Sequence, residues 1–245
     1  MKKLLALLFA VVLVPVTQAV TTDYNDTITA IYGNGNPDYS WTSVTDDTTG
    51  VQVAMRGKYR VGGGTPNDGA GTYTFPTGTV GSPARAVWNW EFSAFSGDGG
   101  QSLADYAWKL SVDTDPSQGT SFAEFNPFAP TLTMPYYADN ALGTSSTANG
   151  GGTKQFLALS LDNYTLGQNS QNIMFAPSSP QDPNANATYT YMFAAHDGST
   201  EIAKVSINVV VGSGGDPVPD AGSTAGLLGA SFAGFIGFRR YMSRK

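Results

Sequence analysis

Between Thr188 and Val211 the residue spacing alone specifies a β-hairpin. Ala203, Val205, Ile207, Val209 and Val211 fall on every second position, while Glu201, Lys204 and Asn208 keep charge and polarity toward water. Successive side chains of a strand point to opposite faces, so an apolar period of two means one buried face. A helix would scatter the same residues around its circumference. The preceding run, Thr188 to Ala195, is rich in β-branched and aromatic residues. Asp197-Gly198 lies between the two runs, and glycine there supplies the positive φ of a tight turn.

The same alternation recurs upstream. Val51, Val53 and Met55 alternate with polar residues, and Tyr59 and Val61 continue after Gly57. Trp88, Trp90 and Phe92 alternate with Asn89 and Glu91, which places the tryptophans in a core and Asn89 and Glu91 toward solvent. Tyr106, Trp108, Leu110 and Val112 repeat the pattern. The runs are separated by Gly62–Gly69, Gly97–Gly100 and Asn149–Gly152, and Pro177, Pro180 and Pro183 punctuate a further stretch. Short strands between glycine- and proline-rich loops predict a mainly β chain folded as an antiparallel β-sandwich, Ig-like or jelly-roll. Phe156–Tyr164 and Ala138–Leu142 are the segments expected to form short helical turns. We find no internal repeat.

The ends have a different character. Met1-Lys2-Lys3, the apolar run Leu4–Val16 and the small residues of Thr17-Gln18-Ala19 predict a signal peptide, 1–19, cut by signal peptidase after Ala19. Residues 20–211 form the expected exported domain, 212–217 a flexible spacer, and 218–245 a separate terminal segment. Within that segment Gly222–Phe238 is apolar and predicts a single transmembrane helix, about 25 Å long at ~1.5 Å per residue. Arg239 and Arg240 would stop it on the cytoplasmic side. Six of the thirteen basic residues lie in the two ends, so residues 20–217 set seven against eighteen of the nineteen acids, a net charge near −11. Such a surface argues against nucleic acid as a partner. Cysteine is absent, which excludes a disulfide framework and a thiolate nucleophile.

Val218-Pro219-Asp220, then Gly222-Ser223-Thr224-Ala225, the apolar helix and Arg239-Arg240 together resemble the PEP-CTERM sorting signals of Gram-negative bacteria. The segment resembles in particular the VPDSG-CTERM variant, with Ala221 where serine is commoner. The resemblance implies export and a precursor held in the inner membrane. It further implies processing near the motif by an exosortase-type transpeptidase, and delivery to the outer surface or the exopolysaccharide matrix. Trp108–Thr120 and the hairpin Phe193–Gly198 also resemble segments of PEP-CTERM ectodomains, which bring no catalytic residue with them.

Candidate sites inside the domain are few. Asp113 and Asp115 place two carboxylates on one side of an extended segment, a pattern that would suit Ca²⁺ if Asp105 or Glu124 joined them. Turn chemistry favours the alternative, that both cap the strand end as Asx-turns. Trp41, Trp88, Trp90, Trp108, Tyr136 and Tyr137 would stack on sugars if exposed, which defines a carbohydrate-binding module as the alternative function. Alternate aromatics on strands are more commonly core. His196, the single histidine, sits at the hairpin tip without a nucleophile beside it. Glu91 and Glu124 are the carboxylates a glycosidase reading would use. No hydrolase elbow or metalloprotease motif is present. The expectation is therefore an exported structural or adhesive protein, without enzymatic activity and without a bound cofactor.

Overall fold

The computed structural model describes residues 19–33, 36–129, 141–154, 160–175 and 181–217. Seven strands form the larger sheet: β1 (Val20–Asp26), β2 (Trp41–Asp46), β3 (Gln52–Tyr59), β7 (Trp88–Phe95), β12 (Leu166–Gln171), β10 (Ala141–Gly143) and β11 (Thr153–Lys154), in that spatial order. Five form the second: β4 (Thr72–Phe75), β14 (Thr200–Val211), β13 (Ala187–Asp197), β8 (Ala107–Asp113) and β9 (Phe122–Phe125). A two-stranded ribbon, β5 (Thr79–Val80) with β6 (Arg85–Ala86), stands apart.

The expected alternation is what brings the sheets together. Trp88, Trp90 and Phe92 on β7 and Tyr189, Tyr191 and Phe193 on β13 all point into one core, each at most 1% exposed. Trp90 stacks on Tyr191 with ring centroids 5.3 Å apart, and Phe92 meets Phe193 at 5.2 Å. Burying one such side chain is worth roughly 1.5–3 kcal/mol, so this aromatic seam is a main source of cohesion between the sheets. The hairpin of β13 and β14 pairs from Ala187↔Val211 to Asp197↔Thr200, with a register shift at Ala195/His196 and Gly198 at φ 56° in the turn.

The architecture is the expected β-sandwich, with four departures from the sequence reading. The sheets are not wholly antiparallel: β4 runs parallel to β14, from Asn208↔Thr72 to Val211↔Phe75, because the chain crosses from the large sheet into the small one at that edge. Asn89 and Glu91 are not solvent-facing but 8% and 0% exposed, Asn89 bonded to Ser170 and Asn172 and Glu91 lying under Tyr32 of the β1–β2 connection. Ala141 and Leu142, expected in a helical turn, lie in β10. Residues 212–217, expected as a flexible spacer, follow β14 along the body instead, with Gly212 N–H donating to Phe75 O at 2.8 Å.

Of the second expected helical turn, Tyr164 N–H donates to Leu161 O in a simple turn, and 156–159 lie outside the described residues. Residues 1–18, which carry the expected signal peptide, and 218–245, with the expected sorting motif and transmembrane helix, also lie outside them. Among the described residues no helix is long and apolar enough to cross a membrane.

Candidate functional site

The densest chemistry in the described residues lies on the outer face of the seven-stranded sheet. Val53, Met55 and Gly57 of β3 face the core, so Arg56 and Lys58 project the other way; on β7 the same logic turns Glu91 outward from the aromatic seam. Register sets Arg56 directly opposite Glu91. The β1–β2 connection, described at residues 27–33 and 36–40, then folds across this face. Gln168 on β12 fastens it, accepting from Ile31 N–H at 2.7 Å and donating to Thr29 O at 2.8 Å and Ser93 Oγ at 3.0 Å. Gly150 and Gly152 add N–H bonds to Ala30 O and Ile31 O. Ile31 packs with Ala141 and Leu166 in a small core of its own.

Under this flap the charges are fully engaged. Arg56 Nε donates to Glu91 Oε2 at 2.6 Å, its Nη1 to Tyr39 O at 2.7 Å and its Nη2 to Tyr32 Oη at 2.9 Å. The guanidinium lies 4.1 Å from the Trp41 ring centroid, a cation–π contact. Lys58 Nζ is 2.8 Å from Glu91 Oε1 and also donates to Asn36 Oδ1. Tyr32 Oη in turn donates to Glu91 Oε2. Burial pushes the Tyr32 hydroxyl well above its ordinary pKa, and Glu91 beside it adds to that. Burial opposes the Glu91 charge, but Arg56 and Lys58 outweigh it and hold the carboxyl below its ordinary value. Burial likewise opposes the Arg56 charge, and Glu91 overrides it. A carboxylate so held is a poor proton donor at neutral pH. The arrangement is chemically suited to fastening the flap.

Asp113 and Asp115 follow the capping alternative in their geometry. Asp113 Oδ1 accepts from Asp115 N–H at 3.0 Å and Ser121 N–H at 2.9 Å, and Oδ2 accepts from Thr190 N–H at 3.1 Å. Asp115 Oδ1 accepts from Ser117 N–H at 2.9 Å, which lowers its pKa. No group of three or more metal-type side chains occurs among the described residues.

The other candidates are dispersed. Glu124 lies on the outer face of the five-stranded sheet with Ser111 Oγ at 3.0 Å and Lys109 Nζ at 3.3 Å. Glu91 is on the outer face of the opposite sheet, so the two carboxylates of a glycosidase reading stand on opposite sides of the sandwich. His196 Nε2 is 3.9 Å from Glu201 Oε2 at the hairpin tip. All four tryptophans are buried, none more than 3% exposed, whereas Tyr136 and Tyr137 lie outside the described residues.

Sequence reasoning missed Tyr32, Arg56, Lys58 and Gln168. A signal existed: two of the seven basic residues in the exported part sit two apart on one strand. Alternation assigns such a pair to water unless something covers it, and residues 27–40 carry no periodicity that announces a cover.

Residues 217–242 match the VPDSG-CTERM motif. The match supports a C-terminal sorting signal of the PEP-CTERM type, and with it an exported protein bound for the cell surface through an exosortase-type enzyme. It includes Val218, Pro219, Asp220, Gly222–Ala225, Arg239 and Arg240, and leaves the sandwich outside. No curated protein matches the chain. No solved structure matches it either.

Proposed function

We propose that this chain is a non-enzymatic β-sandwich that serves a structural or adhesive role on the outer surface, or in the exopolysaccharide matrix, of a Gram-negative bacterium. In this reading signal peptidase removes residues 1–19, and Gly222–Phe238 holds the precursor in the inner membrane. An exosortase-type transpeptidase then releases the body within Val218–Ala225. The motif match at 217–242 is the observation that carries it. The internal use of the charged groups supports a non-enzymatic body: Glu91, Arg56 and Lys58 satisfy one another, and Asp113 is spent on backbone N–H groups. A carbohydrate-binding role would need a surface other than the tryptophans.

Replacing both Pro219 and Asp220 by alanine in a host carrying such a transpeptidase tests the sorting step. Full-length protein should accumulate in the inner membrane, while intact mass of the wild-type surface form should end within 218–225. Wild-type surface protein that retains residues 226–245 would overturn the reading. Hydrolysis of polysaccharide by the purified body, lost on Glu91→Gln or Glu124→Gln, would overturn its non-enzymatic part.

A further inference from the structure

The chain leaves the sandwich through a fitted seat. After β14 the backbone turns with Gly212 at φ 61° and Gly214 at φ 84°, conformations that side chains disfavour. Ser213 N–H donates to Asn186 Oδ1 at 3.1 Å, Gly215 N–H to Thr188 Oγ1 at 3.0 Å, and Asp216 O accepts from Gln118 N–H at 2.9 Å. Gly215 is buried, and a Cβ there would lie 2.2 Å from Pro116 O and 2.6 Å from Ser117 C. Those atoms are backbone and cannot swing aside. The loop that forms the seat is itself rigidified by Asp113 and Asp115 through the Asx bonds described above. Residues 212–216 are thus a docked strap, and Pro217 is the single residue between its last bond and Val218.

We infer that this strap is an autoinhibitory latch on sorting: docking ties down the chain that leads into the sorting motif, and processing proceeds from the undocked chain. The inference rests on the sorting reading above. An apolar helix in the bilayer places the motif at the membrane surface. With the strap docked, Pro217 is the only free residue between the last bonded residue and the motif, which leaves an enzyme little slack chain with which to draw out an extended peptide. Releasing 212–217 adds roughly 20 Å of reach, at ~3.3–3.6 Å per residue. The processing rate then scales with the undocked fraction.

Pulse-chase conversion of the full-length precursor, in cells with the cognate transpeptidase, tests this. Gly215→Val, which cannot enter the seat, should convert at least about threefold faster than wild type, the ratio expected when the competent state is a minority. Thr188→Val, which removes only the hydroxyl acceptor, should accelerate conversion less and leaves strand packing intact if the glycine variant folds poorly. Inserting about 12 Gly/Ser residues between Pro217 and Val218 supplies reach without undocking, and should make Gly215→Val and wild type convert equally fast.

Conversion of both point variants at or below the wild-type rate, with unchanged melting temperature, would overturn the inference. A second measurement does not depend on sorting. Endoproteinase Asp-N should cut the Gly215–Asp216 bond of solubilised wild-type precursor at least about tenfold more slowly than that of Gly215→Val, because cleavage follows the open population. Equal rates would remove the latch even if sorting holds. Normal conversion of the Pro219/Asp220 alanine variant would remove the sorting reading while the protease arm still reports on docking.

Discussion

Arg56 Nε donates to Glu91 Oε2 across 2.6 Å, and neither side chain is exposed to solvent. The pair sits on the sheet face that alternation assigns to water, and it is dry because Tyr32, Asn36 and Tyr39 of the β1–β2 connection lie over it. A buried ion pair is strongly sensitive to losing one member, since the survivor keeps its desolvation cost without its partner. Arg56→Ala should therefore destabilise the fold by roughly 3–5 kcal/mol, measured by urea unfolding. A change within about 0.5 kcal/mol, the range of ordinary surface substitutions, would show that the flap does not close in solution.

The same pair sets an acid limit. Arg56 and Lys58 overcome burial and depress the Glu91 pKa, so the unfolded chain takes up that proton more readily than the folded one. Its stabilisation is complete above the unfolded value of about 4.3 and is lost as pH falls through the lower folded value. Unfolding free energies measured from neutral pH downward should fall more steeply with acid in wild type than in Glu91→Gln, by about one proton. Identical slopes would mean that Glu91 is not held this way.

Tyr32 bridges the flap to both charges through one hydroxyl. Tyr32→Phe keeps the ring, removes the bonds to Glu91 and Arg56, and should cost about 1–3 kcal/mol. Hydrogen exchange at Ile31, whose N–H is bonded to Gln168, should accelerate beyond what the global loss explains. Exchange rising uniformly over the whole sandwich would argue that Tyr32 does not hold the flap specifically.

On the core side of β3, Gly57 leaves room for the small sheet. A Cβ at that position would lie 2.8 Å from Phe75 Cε2 and 2.8 Å from Tyr73 Cβ, both on β4. Gly57→Ala should cost roughly 1–3 kcal/mol through overpacking, seen as a lowered melting temperature. An unchanged midpoint would mean that β4 shifts without penalty.

Asp113 anchors three backbone N–H groups from β13 and its own loop. Asp113→Ala should destabilise by roughly 1–3 kcal/mol, because three part-buried N–H donors lose their acceptor. A chelator should leave the wild-type melting temperature unchanged. A drop of several degrees on chelation, restored by Ca²⁺, would overturn the capping role.

The hairpin of β13 and β14 and the inward tryptophans of β7 were legible because alternation is a local property, readable within a dozen residues. The parallel pairing of β4 with β14 was not, since nothing in Thr72–Phe75 names its neighbour. At Asp113, turn chemistry read from Asp113–Pro116 anticipated the Asx bonds, whereas the bond to Thr190, 77 residues away, required the assembled sheet. Gly212–Gly215 read as a spacer because glycine composition signals freedom equally well when it serves a tight fit.

By itself the sequence determined the strand periodicity, the sandwich class and the sorting address at 217–242, each carried by contiguous residues. Tertiary structure alone decided which polar residues are dry. Tyr32 meets Glu91 across 59 residues and Ile31 meets Gln168 across 137. A period of two distinguishes the faces of a strand but cannot say what covers the second one. That depends on a loop whose conformation is set by distant partners rather than by its own pattern.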